Sequence, residues 1–257
     1  MNKTDQTETF DFYPVANIHG SLPMGGYVED TPIFATGATD LLNPPTQSAE
    51  EVNRTELDIG GSVAFYLDHV ITAEEAQKII ALTEAMGYRA AAPGIVTPPG
   101  MRLNKSVHWL GNAAMLDALF NRFKHRLPQQ LDGRPLYQKL SHRLNMYKYD
   151  QDDVFNPHTD GDWPGFGLND RKDQMLEWIG PRSKLTMLLY LNGHDDGVEG
   201  GDTKLFRADR SFVSVAPRAG RALFFRHGQG PDSVMHEGTR VTGSVSKYVA
   251  RINVLYE

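Results

Sequence analysis

The residues that carry the most chemistry are histidines placed beside carboxylates. His158-Thr159-Asp160 lies in the stretch YDQDDVFNPHTDGDWPG, just after an alternating run. Side chains at i and i+2 of an extended backbone point the same way, so His158 and Asp160 can grip one ion. Two ligands do not make a site, and a third must come from elsewhere in the chain. His236, just before the last apolar run, is the first candidate, and His227 in FFRHGQGPD is its rival. Spacing alone does not choose between them. Two imidazoles and one carboxylate on one face of an ion form the facial triad of non-haem Fe(II) oxygenases, which leaves the opposite face open. A second such pair, in His194-Asp195-Asp196 of NGHDDGVEGGD, sits among Gly and Asp and reads as a solvated turn.

The C-terminal run adds a second signal. In a strand over 247–256, Lys247, Val249, Arg251 and Asn253 share one face, and Tyr248, Ala250, Ile252 and Val254 share the other. Two cations on a buried face would need an anionic ligand or partner, because an unpaired buried charge costs several kcal/mol, roughly. The alternative is that this face is open to solvent. The acidic residues Asp150, Asp152, Asp153 and Asp162 read as a solvated loop without calcium-loop spacing. Their charge favours a cationic or neutral substrate over a polyanion.

These residues need elements to position them. Residues 1–57 are rich in Gly, Pro, Thr, Ser and Asn without sustained periodicity, and read as a loop-rich arm that is either loosely ordered or covers a site. Val63, Phe65 and Leu67 alternate as a short strand. Thr72-Ala73-Glu74-Glu75 is a capping box that opens a helix running to Gly87. A second helix is expected over 112–127, where Leu116, Leu119, Phe120, Phe123 and Leu127 share a face before Pro128. The stretch AAAPGIVTPPGMRLNK between them reads as a loop. From residue 138 the pattern turns to strands: Leu140 to Tyr147 as one, Leu185 to Asn192, Phe212 to Val215, Arg221 to Arg226 and Lys247 to Tyr256. Helices first and strands afterwards predict an α+β, mainly β, sandwich or barrel with two or three helices packed on one face.

Composition removes several classes of function. The 257 residues include no Cys, so disulfides, thiolate metal sites and a thiol nucleophile are out. The formal net charge of −6 argues against a general nucleic-acid partner. No run of eighteen apolar residues exists, so no membrane span is expected. The first residues, MNKTDQTETFDFY, do not read as a secretory signal, and a cytoplasmic location is the expectation.

The segments RLNMYKYDQDDVFNPHTDGD, KLTMLLYLNGHDDGVEGGDTKLF, VAPRAGRALFFRH and MHEGTRVTGSVSKYVARINVLYE resemble, in this order, those of prolyl-4-hydroxylase-like Fe(II)/2-oxoglutarate dioxygenases. The resemblance covers residues 138–257 and, more weakly, the helical region from residue 63. It implies a double-stranded β-helix, or jelly roll, within a dioxygenase domain over 58–257. It implies His158, Asp160 and His236 as iron ligands, with His194 left as loop. Lys247 matches the basic residue that pairs with the far carboxylate of 2-oxoglutarate, and Arg251 is the rival anchor. Tyr190 matches a tyrosine that helps hold that carboxylate, and Tyr149 one that lines the cosubstrate pocket. Lys247 lies eleven residues after His236, one more than in collagen-type relatives, so a bulge or longer turn at TGSVS is expected.

The activity implied is hydroxylation of an unactivated C–H bond using O₂ and 2-oxoglutarate, with release of succinate and CO₂ and with ascorbate as a reductant. An acidic residue at 160 implies hydroxylation rather than halogenation. The substrate is a small molecule or an amino-acid residue in a peptide, with Arg102, Asn104 and Trp163 as candidate contacts. Two other readings remain: a cupin-like metal oxygenase without 2-oxoglutarate, and a catalytically silent jelly-roll binding module.

Overall fold

The computed structural model describes residues 10–20, 29–37, 41–42, 52–90 and 100–257. In chain order the elements are β1 (Phe12–Ile18), β2 (Thr31–Thr36), β3 (Asn53–Glu56), β4 (Ala64–Asp68), α1 (Ala73–Met86), β5 (Lys105–Leu110), α2 (Ala113–Phe123), β6 (Gln130–Leu131), β7 (Arg134–Leu140) and β8 (Arg143–Tyr149). They continue with β9 (Phe155–His158), β10 (Pro164–Leu168), β11 (Met175–Tyr190), β12 (Thr203–Phe206), β13 (Phe212–Val215), β14 (Ala222–Arg226), β15 (His236–Gly238) and β16 (Lys247–Tyr256).

Alternation along the late strands divides the interior into two layers. Leu185, Met187, Leu189 and Leu191 face one way and pack with Ile79 and Leu82 of α1 and Leu116, Leu119, Phe120 and Phe123 of α2. Leu188 and Tyr190 face the other way, with Tyr147, Tyr149, Leu223, Phe225 and Val249, and meet Leu205 and Val215 of a second sheet. The larger sheet runs β1-β2-β5-β8-β16-β11-β14-β4-β3, and the smaller β13-β12-β15-β9. Two facing sheets with helices outside the larger one make the jelly roll with helices on one face.

Helix α1 starts and stops where its sequence says, whereas α2 ends at Phe123, short of the expected residue 127, and passes into a 3-10 turn over Lys124–Arg126. Thr72 accepts from the Glu75 amide and the Glu75 carboxylate accepts from the Thr72 amide, the reciprocal cap expected at α1. Glu75 is fully buried and takes two further bonds from Arg122 of α2, Nη1 and Nη2 each at 2.8 Å. This bidentate pair fastens the two helices to each other.

Two sequence expectations change, and one open alternative is decided. The segment before residue 58 is not all loop, because it supplies β1, β2 and β3, and β2 joins the large sheet by parallel pairing to β5. Ile33 and Ala35 are buried there while Pro32 and Phe34 are only partly so, an alternation of burial that the apolar sequence does not show. The stretch from Leu140 to Tyr147 is two strands, because the chain turns at Ser141-His142, where the His142 amide bonds Phe166 O and its carbonyl accepts from Gly111. The cation-bearing face of β16 is buried rather than solvated: Lys247, Arg251 and Asn253 all lie inside.

Removing the Arg122 guanidinium strips a buried carboxylate of its bidentate partner. Arg122→Met is expected to destabilise the fold by about 3–5 kcal/mol. Urea unfolding reads this as a lower midpoint at constant m, and a change below ~1 kcal/mol would show the pair to be dispensable.

Candidate active site

The sheets place three ligand-type side chains at one point. His158 ends β9 and His236 opens β15, and the two residues are direct partners in the antiparallel register. Asp160 follows two residues after His158. One ligand atom from each of the three lies within 4.8 Å of the others. Nε2 of His158 is 4.0 Å from Asp160 Oδ1, and Nε2 of His236 is 3.8 Å from Asp160 Oδ2.

The protonation of this cluster follows from its hydrogen bonds. His158 Nδ1 meets Asn156 O at 2.8 Å and His236 Nδ1 meets Val234 O at 3.2 Å. A carbonyl only accepts, so both rings carry their proton on Nδ1 and present an Nε2 lone pair to the cluster. Burial, helped by the neighbouring His236, lowers the His158 pKa to about 4, and burial likewise lowers that of His236. Burial by itself would raise the pKa of Asp160, but Arg251 and the surrounding imidazoles outweigh it and hold the carboxyl far below its usual range. Two neutral imidazoles and one ionised carboxylate are the donor set a divalent ion such as Fe(II) requires.

A second row of groups fixes the carboxylate. Asp160 Oδ2 accepts from Arg251 Nε at 2.9 Å and from the Thr186 hydroxyl at 2.6 Å. The hydroxyl has one proton and spends it on Asp160, so the 2.7 Å contact of Thr186 with His227 Nδ1 must be donated by His227. His227 Nε2 is then the acceptor of the Ser183 hydroxyl at 2.7 Å, and Ser183 Oγ accepts from the Trp163 amide. Burial and Arg251 lower the His227 pKa to about 3, which keeps the ring neutral. His227, the rival third ligand by sequence, therefore lies behind Asp160. His194 bonds Gly200 O and Asp202 in an exposed turn, away from the cluster.

Beside the cluster is a cavity lined by Tyr149, Tyr190, Thr203, Lys247 and Arg251, among others. Lys247 is 2% exposed, and its ammonium donates to Gly201 O. Its nitrogen lies 5.0 Å from the Tyr149 ring centre and 5.4 Å from that of Tyr190, whose hydroxyl donates to Thr203 at 2.8 Å. Burial, only partly offset by Asp202, lowers the Lys247 pKa to about 8. No ion pair to Lys247 is present among the described residues. A fully buried lysine facing a cavity, close to two aromatic rings and without a carboxylate of its own, suits an anionic cosubstrate. The turn expected between His236 and Lys247 is present as bends at residues 243–245.

The other sequence candidates divide. Arg251, the alternative anchor, spends its Nε on Asp160. Arg102 is not in the cavity lining but lies over two rings that are, its guanidinium carbon 4.6 Å from the Tyr147 ring centre and 5.0 Å from that of Phe155, with Nε bonded to buried Asn104. Trp163 is 38% exposed and does not line the cavity. Sequence reading missed Thr186, Ser183, Thr203 and Tyr147. All four lie on or beside alternating runs, and Thr186 differs from its run only by one hydroxyl among apolar neighbours.

The sequence profile of the 2OG-Fe(II) oxygenase superfamily matches residues 144–255. No curated protein matches the sequence significantly. Among solved structures, a Pseudomonas putida prolyl-4-hydroxylase is similar at 17% identity and a TM-score of 0.52, covering 77% of this chain and 95% of that one. A viral collagen prolyl hydroxylase from Paramecium bursaria Chlorella virus 1, solved with 2-oxoglutarate, is 16% identical at 0.51 over 77% and 99% of the two chains. A prolyl hydroxylase from Trichoplax adhaerens, in complex with a hypoxia-inducible-factor peptide fragment, is 16% identical at 0.52 over 76% and 84%. These structures share the fold, and the profile spans β8 to β16, which carry all three ligand-type residues and the buried lysine. Residues 144–255 thus match the 2OG-Fe(II) oxygenase superfamily, which supports an Fe(II)- and 2-oxoglutarate-dependent oxygenase.

Proposed function

We propose that His158, Asp160 and His236 hold Fe(II), that Lys247 anchors the far carboxylate of 2-oxoglutarate between Tyr149 and Tyr190, and that an unactivated C–H of a small molecule or an amino-acid residue is hydroxylated. The observation that carries this reading is Lys247, buried without an ion pair at the cavity that opens on the three ligands. A cupin-like oxygenase without the cosubstrate, or a silent binding module, has no use for that charge, and burying it costs several kcal/mol, roughly.

Bound Fe(II) would supply the redox chemistry that couples oxidation of 2-oxoglutarate by O₂, giving succinate and CO₂, to insertion of oxygen into a C–H bond. This chain's residues do the rest. The Asn156 and Val234 carbonyls orient both imidazoles. Arg251 and Thr186 occupy Asp160 Oδ2 and leave Oδ1 to face a metal. Lys247 pairs with the cosubstrate, the Tyr190–Thr203 bond keeps the floor in place, and the apolar walls of Leu188 and Val249 exclude water.

Anaerobic titration with Fe(II) and 2-oxoglutarate, followed through the visible metal-to-ligand charge-transfer band, tests the assignment. The band is expected in wild type, absent in His158→Ala, and in Lys247→Ala present only at far higher 2-oxoglutarate. A folded wild-type protein without the band would overturn the reading. Thr186→Val keeps the shape but removes the donor to Asp160, and Co(II) titration is expected to show about 10–100-fold weaker metal binding. The lysine also sets a pH dependence. Below pH 8 Lys247 is already charged and affinity is flat. Above it, binding must take up a proton, so the apparent Kd for 2-oxoglutarate should rise about tenfold per pH unit. A flat Kd from pH 7 to 9.5 would remove Lys247 as the anchor.

A further inference from the structure

Beyond Arg251, away from the Lys247 end, the inner face of the large sheet carries more positive charge than it neutralises. Arg143 and Asn145 stand on β8 on the same face as Tyr147, and Asn145 is the register partner of both Arg251 on β16 and His108 on β5. Arg143 and Asn145 are partly exposed although β8 lies within the sheet, flanked by β5 and β16, so that face opens on a cleft. Arg102 reaches the same place from the segment paired with Phe155, and its guanidinium lies over the Tyr147 ring.

Arg251 is matched by Asp160, and Lys247 has Asp202 within electrostatic range. Arg102 and Arg143 have no ion pair among the described residues. Their known contacts are aromatic and amide: Arg102 on Tyr147, Phe155 and Asn104, and Arg143 on Phe166 at 5.4 Å. Arg143 Nε and Arg251 Nη2 are buried polar atoms without a hydrogen-bond partner among the described residues. Burial, with Arg251 nearby, also pushes the Arg143 pKa down. Unmatched guanidinium donors beside the ligand cluster are costly in a free enzyme and become favourable when a planar anion accepts from them in pairs.

We propose that the substrate carries a carboxylate and that Arg102 and Arg143 grip it, holding the reacting carbon over the metal side of Tyr147. The proposal rests on the Fe(II)/2-oxoglutarate reading of the same cavity. It assigns the two ends of the site opposite tasks: Lys247 takes the cosubstrate's far carboxylate, and the arginine pair takes the substrate's. Three of the acidic residues in 150–162, Asp150, Asp152 and Asp162, are held by local cations, and Asp153 accepts from the Asp150 amide. Asp150 is held by Lys105 and Ser246, Asp152 by Arg240 and Asp162 by Arg182.

The test uses matched probes, the N-acetyl derivatives of the twenty protein amino acids as free acids and as carboxamides. Each is added anaerobically to the full chain loaded with Fe(II) and 2-oxoglutarate, and the charge-transfer band is followed. At least one acid is expected to shift the band with an apparent Kd tenfold or more below that of its amide. Arg102→Gln and Arg143→Gln should each weaken that acid by tenfold or more while leaving the 2-oxoglutarate titration unchanged, which also shows that the variants are folded. Lysine at either position should restore part of the loss. Acids and amides that bind alike, no acid that moves an intact band, or variants that bind the acid as wild type does would each overturn the proposal. Absence of the band itself would instead sink the Fe(II)/2-oxoglutarate reading and this proposal with it.

Discussion

The site depends on one buried ion pair. Asp160 follows β9 in the small sheet and Arg251 lies in the middle of β16 in the large one, so the 2.9 Å contact joins the two layers where they open. Both side chains are about nine-tenths buried, and neither tolerates that environment alone. Without the guanidinium, desolvation would drive the carboxyl toward its neutral form, which is a poor metal ligand. Together they keep one ionised oxygen pair in place, with Oδ2 saturated by Arg251 and Thr186 and Oδ1 left over. The chain from Thr186 through His227 to Ser183 extends this control into the sheet. Each proton in it has only one place to go, so the orientation of Asp160 is inherited from the backbone amide of Trp163 four groups away.

The same pair explains the division of labour along β16. Lys247 and Arg251 lie on one face, four residues apart, which is about 13 Å along a strand. Two cations at that separation cannot serve one small carboxylate together, and only one of them is free of a carboxylate partner. The opposite face, with Ala250, Ile252 and Val254, is sealed against the helix-backed core. A slip of one residue would drive both cations into that apolar layer and both aliphatic rows into the site, so register is enforced from both faces at once. The partners fix it further: Lys247 opposite Tyr149, and Arg251 opposite Asn145 and Leu188. Helices α1 and α2, held together by Glu75 and Arg122, do no chemistry, but they bury the face of the sheet that makes the register irreversible.

Much of this was legible in the sequence because local chemistry and local structure agree there. The cap at Thr72, the apolar stripe of α2 and the alternation of β16 each encode their own geometry. His158 and Asp160 were legible for the same reason, being two residues apart on an extended chain. His236 was not legible by spacing, since His227 occupies an equally suitable place. Both imidazoles face Asp160, one on its ligand side and one through Thr186, and that difference is made by strand pairing of β15 with β9. Arg251 shows the limit more sharply. Sequence puts it beside Lys247 as a second anchor, and only the approach of Asp160 from the other sheet reveals that its charge is already spent. The strands before residue 58 were hidden because short runs among Gly and Pro carry little signal until a neighbour such as β5 is present to pair with them.

Charge shows why composition cannot stand in for a site. The chain is acidic overall, and its acidic stretch precedes and follows His158, yet Asp150, Asp152 and Asp162 are paired with Lys105, Arg240 and Arg182. The cleft face carries cations without an ion pair among the described residues, Lys247 at one end and Arg102 and Arg143 at the other. A low-dielectric wall of Tyr147, Phe155 and Phe166 lies against the arginines and strengthens their pull on an incoming anion. Between these ends, among the described residues, one negative charge lines the cavity, Asp160, already claimed by Arg251. On the proposed assignment the arginines attract the substrate carboxylate and Lys247 that of the cosubstrate. The two ligands would then be sorted to opposite ends by the cations that lack an ion pair among the described residues.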